Sequence, residues 1–137
     1  MAISNSLPVF IVANLFGAMC IGFGINAILR PEHGVSFFEL APPTVDGPEK
    51  TLFNSMMAVY GVRDVFMGVA IYAAAYTGAR KALGWILLGV SAVAFADGAI
   101  CALNGAGEWN HWGYAPVVMV VGMLTLGVLD GDKAKTA

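Results

Sequence analysis

The sequence predicts an all-α fold, a four-transmembrane-helix bundle with both termini on the same side. Two observations predict it, the composition and the way the apolar residues divide. Hydrophobic residues make up 58% of the 137 positions and charged residues only 12%, with a mean hydropathy of +0.75. A soluble domain carries about twice that charged share. The apolar residues also fall into four runs, broken by a proline-rich stretch, a short basic turn and a glycine-rich turn. A chain of this length holds one domain, read as a single integral membrane domain over 1–137. A net charge of −2 without a basic patch excludes nucleic acid as a partner.

The first span is expected over 7–29, uncharged and closed by Arg30-Pro31, where proline stops helical continuation. It is read as a span rather than a signal peptide. No basic segment precedes it and no small-residue cleavage site follows. Asn14 and Asn26 lie inside it. Residues 32–50 form the one long polar connection, with Pro42, Pro43 and Pro48. Its Phe37-Phe38-Glu39-Leu40 stretch suits a short amphipathic turn at the interface. A connection this long in so small a protein often covers something.

The second span is expected over 52–77, followed by the basic turn Gly78-Ala79-Arg80-Lys81. The third covers 82–103 and contains Asp97. A turn with glycine breakers and two interfacial tryptophans, Trp109 and Trp112, leads to a fourth span over 112–129. Pro116 is tolerated in its first turn. Arg80, Lys81, Lys133 and Lys135 gather on the face that holds the termini, against Arg30 and Lys50 on the other. The positive-inside rule therefore puts the termini in the cytoplasm, in the endoplasmic reticulum or plasma membrane. Cys20 and Cys101 lie in apolar segments without metal or redox spacing, so packing is their default role.

Arg63 and Asp64 sit side by side within the second apolar run. Ionisable groups at bilayer depth cost several kcal/mol unless paired or hydrated. Arg63 lies fourteen residues before Thr77, and Asp97 lies fifteen after Ala82. Both are then about 21–23 Å from the turn between the two helices, at one depth. Tyr60 shares the Arg63-Asp64 side of its helix, with Met56 and Met67 nearby. Asp97, Cys101 and Asn104 form one stripe leading to Glu108 and His111 at the rim. Asn14 is expected near the same layer and Asn26 near the rim.

Two roles compete for this layer. Arg63 can simply lock two helices together by neutralising an aspartate, with Gly61 and Gly68 permitting close packing. Two carboxylates, a phenol and asparagines also suit acid–base chemistry, since two aspartates bridged by an arginine can hold one proton between them. On that reading Asp64 and Asp97 are the acid and base, Arg63 the bridge, and Tyr60 and Asn14 the orienting groups. Asn14, Asn26, Met56, Met67, Cys101, Asn104 and His111 would line the substrate. A similar Asp-Arg-Asp set with Tyr and Asn occurs in small soluble epoxide hydrolases of the limonene type. Their fold is unrelated, so the likeness is one of chemistry alone. The favoured reaction is epoxide opening or epoxide-triggered cyclisation of a lipophilic small molecule, ahead of a proton-shift isomerisation. No cofactor is expected. His33 and His111 have no metal-ligand spacing, and His111 is read as an interfacial or pH-sensitive rim residue.

Several motifs carry a family resemblance. They are Ile28-Leu29-Arg30-Pro31-Glu32, Tyr60-Gly61-Val62-Arg63-Asp64 with Gly68, Arg80-Lys81-Ala82-Leu83-Gly84-Trp85, Asp97-Gly98 and His111. Together they resemble the small four-helix membrane family filed as domain of unknown function 4267. The resemblance implies a four-helix membrane bundle whose members often sit beside secondary-metabolite pathways, and it supplies no activity. The rivals to an enzyme are a small transporter, for which a homodimer would be needed, and an accessory membrane subunit with a structural Arg–Asp lock. Membrane lipid is an expected neighbour in every case.

Overall fold

The computed structural model describes residues 2–130, and no strand occurs among them. After a single 3-10 turn at Ile3–Asn5 come α1 (Leu7–Leu29), α2 (Pro31–Ser36), α3 (Pro48–Tyr76), α4 (Arg80–Leu103), α5 (Trp109–Trp112) and α6 (Ala115–Thr125). Helices α1, α3 and α4 are long and apolar enough to cross a bilayer, which fits an integral membrane protein.

Among the described residues there are three such helices, not the four expected. The segment expected as a fourth span over 112–129 contains α6, which has only 11 residues and is about 16 Å long. Pro116 lies in the first turn of α6 rather than inside a helix begun at Trp112, because a residue without an amide proton starts a helix more easily than it continues one. At the other end Gly127, at φ 82°, adopts the left-handed conformation that stops a helix. Two smaller boundary differences follow the same logic. Helix α3 begins at Pro48 rather than residue 52, and the connection after α1 holds a short helix, α2, that Pro31 initiates.

The tightest pairing is α1 against α3. A Cβ on Gly61 would lie 2.5 Å from the Gly24 carbonyl oxygen, and one on Gly68 the same distance from that of Gly17. Only glycine permits this approach. The two pairs set the antiparallel register of the helices, with backbone packed on backbone. On the far side α4 packs on α6, where Gly84 faces Gly122 and the Ser91 hydroxyl donates to the Ala115 carbonyl at 2.8 Å. Ile71, Leu87 and Val118 are fully buried between these pairs.

One end of the bundle is tied by a polar clasp. The Ser4 amide donates to Asp130 Oδ1 at 3.2 Å, its hydroxyl donates to Oδ2, and Arg80 donates to both Ser4 Oγ and Asn5 Oδ1. The bonds from Ser4 hold the Asp130 carboxyl below its usual range.

Two outcomes are expected. Gly61→Ala should lower the thermal midpoint in detergent by the equivalent of about 1–3 kcal/mol of overpacking. Gly22→Ala, where a Cβ meets nothing within 4 Å, should not lower it. For the clasp, a carboxyl depressed on folding stabilises the fold above the ordinary carboxylate range and ceases to do so as pH falls through its lower folded value. Melting curves taken from pH ~6 down to ~3 should therefore fall more steeply for the native chain than for Asp130→Asn.

Candidate functional site

Arg63 is the centre of the polar layer. Its Nη2 lies 2.9 Å from Asp97 Oδ2 and its Nη1 lies 3.4 Å from Oδ1, so the guanidinium engages Asp97 with two parallel bonds. Its Nε and Nη2 each lie 3.2 Å from Asp64 Oδ1. The two carboxylate side chains are 7% and 11% exposed, whereas Arg63 keeps 38% exposure at the margin of the bundle. The depth matching of α3 and α4 is thus a direct contact. The guanidinium carbon also sits 4.4 Å from the centre of the Tyr60 ring, a cation–π stack that covers one of its faces.

Beside these groups is a small cavity of about 20 Å³, bordered by Cys20, Tyr60, Asp64, Met67, Asp97 and Tyr114. That is room for one water molecule. A much larger open groove, about 690 Å³, lies at the Ser4–Asp130 end beside Arg80 and Lys81. It contains none of the acid–base groups.

The cover of the layer comes from two connections. Phe38, in the turn after α2, packs its ring edge-on to Tyr60 at 5.2 Å and against His111 at 4.7 Å. The carbonyl of Phe38 lies on Gly107, where a side chain has no room. Asn110 donates to Glu39 at 3.0 Å. The connection over 32–50 therefore does cover something, namely the polar layer. Behind it, Cys101 Sγ lies 3.8 Å from His111 Nδ1, which is also 3.4 Å from the Gly107 carbonyl.

Among the residues expected at the site, the structure brings together Tyr60, Arg63, Asp64, Asp97 and Met67. Cys101 and His111 sit just behind them. His111 is 3% exposed, not the rim residue anticipated. Gly98 has no side chain, so Trp112 presses onto α4 and donates to the Phe95 carbonyl at 3.1 Å, and this draws α5 inward. Of the two expected interfacial tryptophans, Trp109 alone is exposed.

Four expected lining residues lie elsewhere. The α1–α3 glycine register puts Asn14 about seven residues, or ~10 Å, from the level of Asp64. Its amide donates to Phe10 O. Asn26 pairs with His33 at 3.0 Å, Met56 is 60% exposed on the outer face, and Asn104 is exposed and bonds its own helix at Ile100 O. The reasons differ. Asn14 lies at another depth, because the glycine pairs and not the helix ends set the α1–α3 register, whereas Met56 and Asn104 are turned away, because packing decides rotation about a helix axis.

Cys20, Tyr114 and Phe38 border or cover the layer and were not anticipated. A signal for Cys20 exists. Ala13, Gly17, Cys20, Gly24 and Ala27 form the buried stripe of α1 at alternating spacings of four and three. Such a small-residue face marks the side that meets α3. Tyr114 and Phe38 arrive from irregular connections and carry no such periodicity.

An Asp-Arg-Asp layer in a bundle with three long apolar helices defines a class, a helical protein compatible with a membrane and built around one buried ion cluster. Residues 17–125 match the family model described as domain of unknown function 4267, and the chain belongs to that family. No curated protein and no solved structure matches it.

Removing the cation should be costly. Arg63→Met leaves two buried carboxylates facing each other and should destabilise the bundle by about 3 kcal/mol in detergent denaturation. Arg63→Lys keeps the charge but not the fork that serves Asp97, and should lose less.

Proposed function

We propose that the chain is a membrane-embedded acid–base enzyme that opens an epoxide on a lipophilic small molecule. One observation carries this reading. A single guanidinium is shared by two buried carboxylates, with space for one water molecule beside them. An Asp-Arg-Asp set that holds one proton is electrically neutral and contains both an acid and a base.

The steps then balance. The ionised carboxylate takes a proton from water as the water oxygen bonds to an epoxide carbon. The carbon–oxygen bond of the ring breaks, and the protonated carboxyl gives its proton to the departing oxygen. The product is a diol, and one proton has moved from one carboxyl to the other. With a substrate hydroxyl in place of water, the same transfers give a cyclic ether. Arg63 holds both carboxyls in position and Tyr60 fixes the guanidinium. No cofactor takes part. Met67 and Cys20 supply the apolar side of the site, and the termini face the cytoplasm on the positive-inside count.

A second reading has an observation of its own. Arg63 is engaged by both aspartates and the cavity is far smaller than a lipophilic substrate, as a purely structural lock requires.

The two readings separate on the same variants. If the site is catalytic, Asp64→Asn and Asp97→Asn each abolish diol formation from a panel of lipophilic epoxides in ¹⁸O-labelled water, read by mass spectrometry, and leave the thermal midpoint nearly unchanged. If it is a lock, both variants fold poorly in detergent, and Arg63→Asp combined with Asp97→Arg partly restores folding.

A further inference from the structure

The polar layer has room for a water molecule but not for a substrate, so something must move before a larger molecule reaches it. We infer that Phe38 is the residue that decides what reaches the layer, and that the strap between α2 and α3 lifts to admit it. The inference concerns access to the site described above. It takes its importance from the enzymatic reading but does not need turnover to be tested.

The geometry points to Phe38 because one column of contacts runs from the strap to the charges. The Phe38 ring rests on Tyr60, and the Tyr60 ring rests on the Arg63 guanidinium, which holds Asp97. The α5 turn meets the same column from the other side, through His111 against the same Phe38 ring. Phe38 is therefore the plug of the layer at that end.

The strap is also built to separate from its seat. The helix that precedes it, α2, is anchored. Val35 is buried with Ala27 and Met57, and Gly34 fits against Ala27 where a side chain would collide. The far end of the strap is tied by Lys50, which pairs with Glu32 at 3.3 Å and Asp46 at 3.2 Å. Leu40 packs on the same Ala27–Val35–Met57 cluster; past it, residues 41–47 have no helix, and the seat at Gly107 consists of a carbonyl laid over a glycine and one bond from Asn110 to Glu39. Glu39 itself sits at φ 55°, a left-handed conformation uncommon for a residue with a side chain, in the turn that closes α2. Lifting the strap beyond this turn leaves α2 and the Lys50 tie in place.

Cys20 borders the cavity and reports access directly. The experiment uses the full chain in lipid nanodiscs with Cys101→Ser, so that Cys20 is the single thiol, and measures its labelling by a small methanethiosulfonate and by a bulky maleimide. The expected result is a labelling rate at least ~10-fold higher for Phe38→Ala, with the larger gain for the bulky reagent, and a lower rate for Phe38→Trp. Gly107→Ala should act like Phe38→Ala, because its Cβ displaces the strap without removing the aromatic ring. Asn110→Ala gives a milder second route to the same release if Gly107→Ala fails to fold. Ser4→Ala, at the opposite end, should label at the native rate. Native labelling rates in Phe38→Ala and Asn110→Ala, with folding verified by circular dichroism, would overturn the inference and leave lateral entry between α3 and α4, past the partly exposed Arg63, as the route. Loss of epoxide opening with intact strap-dependent labelling would instead count against the proposed reaction alone.

Discussion

Three charges gathered in an apolar bundle impose the constraint on which the structure turns. Asp64 and Asp97 are almost fully buried, and each depends on the same guanidinium for its partner. Taking ions out of water costs several kcal/mol apiece, and their attraction offsets that cost only when the geometry is close and the remaining polar atoms find partners. The two hydrogen bonds that Arg63 donates to Asp97, those it donates to Asp64 and the Tyr60 ring against the guanidinium meet that condition. Each requires α3 and α4 to hold one register.

That register is held from behind. Gly17, Gly24, Gly61 and Gly68 let the backbones of α1 and α3 touch, and a helix seated on another backbone cannot slide or rotate without collision. The shortness of α6, bounded by Pro116 and Gly127, leaves room at the level of the charges. Level with Ser91 the helix gives way to a turn, since the Ser91 hydroxyl binds Ala115 at its first residue. Beyond that level His111 and Trp112 come in from the short α5 and Tyr114 from the turn after it, and a continuous fourth helix would have occupied their place. The strap with Phe38 then closes the end that remains.

Much of this was visible in the linear chain. Apolar runs identified α1, α3 and α4 within a few residues, because a long uncharged segment has few alternatives to helix. The distance of Arg63 and Asp97 from the α3–α4 turn was enough to pair them, since helical rise is nearly constant. Counting failed where rotation or irregular backbone decided the outcome. Met56 and Asn104 face elsewhere, Asn14 lies at another level because glycine pairs set the α1–α3 register, and His111, expected at a rim, is drawn inside by Trp112 against Gly98. Hydropathy also counted 112–129 as a span, although Pro116 and Gly127 divide it into a short helix and turns.

By itself, then, the sequence determined an all-helical, strongly apolar chain with a shared level for Arg63, Asp64 and Asp97, because composition, helical period and rise are properties of local chain. Tertiary structure decided which faces meet, that Cys20 and Tyr114 border the layer, that only one water fits beside it, and that Phe38 covers it. Those features depend on which helix presses against which and how closely. Side-chain volumes from distant parts of the chain settle that, and no periodicity records it.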